Sequence, residues 1–176
     1  MITALRGLLA IVAALLLAGC GGEDDDSVRL EMLPERVGVP AGLNPILAHN
    51  FVVGESVPTD HERFLRETGV AWGDWDRVEP RLATLTIDEP GLDWSFALEV
   101  TLKAYRDDPA QQVELFYRDE IPLNVGAQLQ MIPTDFDVQE LLGGGDFGLI
   151  LEIRRLRQSP RQSFAAVLDY NWAGYQ

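Results

Sequence analysis

The stretch Phe96-Ala97-Leu98-Glu99-Val100-Thr101-Leu102-Lys103 decides the fold class. Its large apolar side chains fall on every second residue. In a strand, successive side chains point to opposite faces, so Phe96, Leu98, Val100 and Leu102 share one face and leave the other to Glu99, Thr101 and Lys103. Helical spacing of three and four would scatter the same residues around a cylinder. The pattern extends in both directions. Toward the C-terminus, Asp107-Asp108-Pro109 marks a turn, and Val113, Leu115 and Tyr117 alternate after it. Ala127, Leu129 and Met131 follow, then Phe147, Leu149, Leu151 and Ile153, then Phe164, Ala166, Leu168, Tyr170 and Trp172. Toward the N-terminus lie Arg81 to Ile87, closed by Asp88-Glu89-Pro90-Gly91, then the apolar run Ile46 to Val53, then Val28, Leu30 and Met32.

Two short helices are expected between these strands. Thr59-Asp60-His61-Glu62 fits a capping box, with Thr59 as N-cap and Glu62 three positions on, and Gly69 stands where a helix would end. Thr134 to Leu142 is the second, stopped by Gly143-Gly144-Gly145. Eight short strands separated by turn signals predict an all-β domain over residues 28–176, an antiparallel β-sandwich, with an up-and-down β-barrel as the alternative.

Ahead of this domain, Arg6 supplies a positive charge and Gly7 to Ala18 form an apolar run. The run is shorter than the about 20 residues of a membrane-spanning helix and has the layout of a secretory signal. It ends in Leu17-Ala18-Gly19-Cys20, and Cys20 is the only cysteine. This resembles the lipobox of a bacterial lipoprotein precursor. The resemblance implies removal of residues 1–19, a diacylglyceryl thioether on Cys20 and acylation of the new amino terminus. Two or three acyl chains make membrane attachment durable where one does not. An acylated Cys20 leaves no thiol for a disulfide, a nucleophile or a metal. Gly21-Gly22-Glu23-Asp24-Asp25-Asp26-Ser27 cannot bury apolar area, and its like charges extend it. This tether reaches about 23 Å at roughly 3.3 Å per residue. In proteobacterial lipoproteins an Asp directly after the lipidated cysteine favours the inner membrane. Gly21 stands there instead, which implies outer-membrane delivery, with the periplasmic face expected before the cell surface.

The net charge is −14, with 28 acidic and 14 basic residues. A nucleic-acid partner calls for the opposite field. Repulsion from an anionic membrane would keep the domain off its own bilayer.

No assembled catalytic set is legible. His49 reads as a packed, hydrogen-bonded histidine on a strand, and His61 as an exposed one in the first helical turn. His61-Glu62 lacks the second histidine of a zinc protease. Gly54-Glu55-Ser56-Val57-Pro58 is not a nucleophile elbow, and Gly143-Gly144-Gly145-Asp146-Phe147-Gly148 lacks every other part of a nucleotide site. Asp88, Glu89 and Asp93 in one loop, with Asp119 and Glu120 in another, would lie at the same end of an antiparallel meander. There they could converge on Ca²⁺, although turn formation and solubility explain the same residues. Arg154, Arg155, Arg157 and Arg161 form the one basic cluster, suited either to acidic or phosphate groups of a partner or to the protein's own carboxylates. Trp72 and Trp75 anchor a binding patch if exposed and lid one end of the sandwich if buried.

These features predict a lipid-anchored, non-catalytic binding or structural domain with no cofactor, its partner an envelope protein or glycan. One alternative is a carbohydrate-active enzyme or other envelope hydrolase working through carboxylates such as Asp88 or Asp119, held about 5–9.5 Å apart in a pocket. A carrier of apolar ligands is another, and it requires a hollow barrel.

Overall fold

The computed structural model describes residues 27–176. The signal segment 1–19, Cys20 and tether residues 21–26 lie outside them. Nine strands form, all paired antiparallel: β1 Val28–Glu31, β2 Glu35–Val39, β3 His49–Pro58, β4 Arg77–Ile87, β5 Ala97–Tyr105, β6 Val113–Arg118, β7 Gln128–Pro133, β8 Asp146–Leu156 and β9 Phe164–Tyr175. Two helices, α1 His61–Thr68 and α2 Gln139–Leu142, complete the regular structure of the described residues with 3-10 turns at Trp72–Asp74 and Trp94–Phe96.

The strands run β1-β9-β4-β7-β6-β5-β8-β3 in one strongly curled sheet, with β2 also paired to β9. One half is built on β9 and β4, the other on β5 and β8. β7 joins them, pairing through Gln128–Met131 with β4 and through Ile132 and Pro133 with β6. On the far side β2 and β3 approach each other. The all-β expectation holds, with sandwich and barrel character combined. The up-and-down connection does not, because only β5, β6 and β7 pair in sequence order.

Alternation delivers one interior. Leu30 sits opposite Trp172, Val39 opposite Phe164, and Leu85 between Leu168 and Leu129. Val100, Leu102, Phe116, Phe147, Leu149, Leu151 and Ile153 face them from the other half. Trp94, Trp172, Phe116 and Phe147 are fully buried in this interior. Burying an aromatic of this size stabilises by roughly 1.5–3 kcal/mol.

Local chemistry moves several predicted boundaries. β2 carries only Val37 and Val39 as buried apolar positions, and the sequence pattern passes over it. Thr59 does not cap α1: its buried hydroxyl donates to the Leu142 carbonyl at 3.1 Å, and Asp60, at φ 56°, takes the N-cap position. Gly69 ends the helix as expected. Thr134 does not start α2 either. Its backbone N–H and hydroxyl both bond the Leu115 carbonyl, which prolongs the β6–β7 pairing, and the helix shrinks to one turn.

The two ends of the barrel differ. Val28 enters at the end where Gly174 and Val78 meet in register. α1, α2, the Trp72–Asp74 turn and the 106–112 hairpin loop gather there. The loops carrying Asp88 to Asp93 and Asp119 to Glu120 lie at the opposite end, joined by Ile87 N–H to the Ala127 carbonyl and Trp94 N–H to the Gly126 carbonyl, each at 3.0 Å.

Candidate functional site

The acidic loops share an end, as predicted, yet their carboxylates do not converge. Asp88 pairs with Arg36 at 2.5 Å, and Asp93 accepts the Ser95 N–H at 2.9 Å as the cap of a 3-10 turn. Glu89 and Asp119 are exposed, and Glu120 sits in a left-handed turn at φ 51°. Among the described residues no three His, Cys, Asp or Glu side chains come together to hold a metal. Ion pairing at Asp88 and turn capping at Asp93 follow the turn and solubility reading rather than the calcium one.

Three arginines of the cluster, Arg154, Arg155 and Arg157, bond the protein's own acceptors, while Arg161 is exposed. Arg155 pairs with Glu99 at 2.6 Å. Arg157 donates to the carbonyls of Ser95, Ala97 and Ile121, closing the end opposite Val28. Arg154 joins Glu152 at 2.7 Å and Glu114 at 3.3 Å, and Lys103 meets Glu152 at 2.7 Å. Burial pushes the Glu152 carboxyl up, but the hydrogen bonds and charges of Lys103 and Arg154 outweigh it and hold the group below its ordinary value. A carboxylate so depressed contributes stability above its unfolded pKa that is lost as pH falls through the folded one. Glu152→Gln is therefore expected to cost about 1.5 kcal/mol at pH 7, the scale of a hydrogen bond to a charged group. The difference from wild type should begin to shrink as pH falls toward the ordinary glutamate value of about 4.3 and should close only below the depressed folded pKa. Urea titrations at several pH values read this directly, and a pH-independent gap would contradict it.

The tryptophans take the lid role. Trp75 is buried, its ring lying where a Cβ on Gly174 would come within 2.8 Å. Trp72 is half-buried, stacks on His61 at 4.5 Å and donates from Nε1 to the Gln139 carbonyl at 3.1 Å. Gln139 Nε2 returns bonds to the carbonyls of Trp72 and Trp75. His61 is accordingly not the exposed residue expected. Burial lowers its pKa, and the Leu142 carbonyl offsets this in part. His49 is held as expected, its Nε2 at 2.9 Å from the Asn44 carbonyl.

A different feature is concave. Between the β5–β6 hairpin loop and the segment leading into α2 lies a groove of about 540 Å³. Arg106, Asp107, Asp108, Gln111 and Val113 form one wall; Phe136, Asp137, Glu140 and Leu141 form the other. Its walls are built by local rules. Asp108 accepts the Ala110 N–H at 2.9 Å and the Gln111 side-chain amide at 3.3 Å, folding the hairpin loop. Asp137 accepts the N–H groups of Val78 at 3.2 Å and Gln139 at 3.0 Å, tying α2 to β4 and starting its turn. The triple glycine after α2 joins the walls. The Arg106 guanidinium lies against Gly144, where a Cβ would come within 2.6 Å of Nε, and its Nη1 donates to the Glu140 carbonyl at 3.3 Å. Gly145 turns back into β8 at φ 96°, a conformation side chains disfavour.

Phe136 is 39% exposed over this groove, while Val113 and Leu141 are half-buried within it. Asp107 and Glu140 project from the rim without an ion partner among the described residues. All four carboxylates are exposed. Asp88 and Asp119, the predicted catalytic candidates, line no part of the groove. The groove thus sets an exposed ring over half-buried aliphatic side chains between charged rims.

No protein-family model matches the chain, and comparisons with curated proteins and with solved structures find no match. Among the described residues no helix is long and apolar enough to cross a membrane.

Proposed function

We propose that this chain is a lipid-anchored envelope protein whose β-domain is a non-catalytic binding module. The observation that carries the reading is the sequence Leu17-Ala18-Gly19-Cys20 followed by an acidic tether. A sequence with the layout of a secretory signal, one lipidatable cysteine and an acidic spacer supports a folded domain held outside the cytoplasm by acyl chains. Gly21 after Cys20 favours the outer membrane, and the domain stands within about 23 Å of it, the reach of seven extended residues. The groove supports a binding role, because its apolar surface and rim charges are open to a partner.

Membrane fractionation of cells expressing the full chain tests the anchor. Wild type is expected with the outer membrane and should resist high salt, whereas Cys20→Ser should leave the outer-membrane fraction almost completely. A Cys20→Ser protein that stays there as firmly as wild type would overturn the reading.

A further inference from the structure

The groove's placement and charge identify a class of occupant, an inference that rests on the envelope-anchored reading only for where that occupant is met. Asp137 bonds Val78, Val78 lies beside Gly174, and Gly174 pairs with Val28, the first strand residue after the tether. The groove therefore opens at the end of the barrel where the tether enters, within a tether's length of the bilayer. Its charges are lopsided: four carboxylates (Asp107, Asp108, Asp137 and Glu140) surround one cation, Arg106. That cation is already laid on Gly144 and bonded to the Glu140 carbonyl. Asp108 and Asp137 each spend bonds on the backbone, leaving Asp107 and Glu140 as open acceptors on facing walls. Phe136 adds an exposed ring face between them.

We propose that this groove takes a basic segment of another envelope protein, one that presents Lys or Arg next to an apolar side chain close to the membrane surface. Asp107 and Glu140 would pair with the cations, and Phe136 would meet both the apolar side chain and a cation over its ring. Anionic headgroups are the wrong sign for this rim. A neutral glycan would make no use of its charge.

The probe is a fluorescein-labelled peptide of alternating arginine and leucine, titrated by anisotropy against the full chain in neutral detergent micelles. Binding is expected to weaken steeply from 0.05 to 0.5 M NaCl as screening shortens. Phe136→Ala and the pair Asp107→Asn with Glu140→Gln should each weaken it roughly tenfold or more, the loss expected of an anchor residue. All three positions are exposed, so circular dichroism should show the fold retained. The control pair Asp119→Asn with Asp169→Asn makes the same charge change at exposed sites outside the groove and should leave affinity within about twofold. Equal weakening by both pairs would reduce the effect to the net charge and overturn the proposal. So would absence of binding, or tighter binding of tetra-N-acetylchitotetraose than of the peptide. The affinities do not depend on acylation, so failure here leaves the anchor standing, and loss of the anchor leaves the groove's chemistry testable.

Discussion

Trp172→Ala is expected to lower the unfolding free energy by about 3–5 kcal/mol, the range for deleting a buried large aromatic. Trp172 is fully buried on β9. It stacks on Phe116 of β6 at 6.0 Å and meets Phe147 of β8 edge-on at 6.4 Å, with Tyr170 at 5.5 Å on its own strand. One ring thus touches both halves of the barrel. Its Nε1 has no hydrogen-bond partner among the described residues, so the substitution removes packing rather than a polar contact. The cavity left between two hydrogen-bonded half-sheets collapses poorly. Urea unfolding should show a much lower midpoint at an unchanged slope. A loss below about 1 kcal/mol would mean that the interior is not packed around this ring.

Phe64→Ala should cost nearly as much, about 3 kcal/mol, but in a different part of the molecule. Phe64 is the one buried residue of α1, at 1% exposure, and it stacks on Trp72 at 6.2 Å. An eight-residue helix is marginal alone, so docking of this side chain sustains it. Once the ring is gone, α1 and the Trp72–Asp74 turn should open ahead of the sheet. Amide exchange should therefore accelerate first over residues 61–74, while β5 and β8 keep their protection. Uniform acceleration across the sheet would show instead that α1 belongs to the same cooperative unit.

How much of this was legible follows from the range of each interaction. Phe96 to Lys103 and its companions declare strands through nearest-neighbour alternation, and every predicted strand is present, several with shifted ends. β2 escaped notice because Glu35-Arg36-Val37-Gly38-Val39 has two apolar residues and a glycine; its pairing with β9 makes it a strand. Strand order was out of reach, since β4 leaves its partner β7 and the chain crosses to β5 before the sheet is joined again. The groove was out of reach for the same reason. Asp107-Asp108-Pro109 reads as a turn and Thr134 to Leu142 as a helix, and each reading treats its polar residues as local punctuation. Only the tertiary contact of Arg106 with Gly144 brings the two segments together. Asp-Phe-Asp at 135–137, an aromatic set between carboxylates after a proline, was the one local sign of the ring left exposed there. The arginines follow one of the two readings that their clustering allowed, bonding within the protein. Clustered in sequence, they alternate across a strand and a loop and find different partners.

The anchor carries the functional account, and intact mass of the membrane-fractionated protein tests it most directly. Wild type is expected at the mass of residues 20–176 plus a diacylglyceryl group and an amide-linked acyl chain, with Cys20→Ser lacking the added lipid mass. A wild-type protein of unacylated mass, recovered in the soluble fraction with a free thiol at Cys20, would contradict the account.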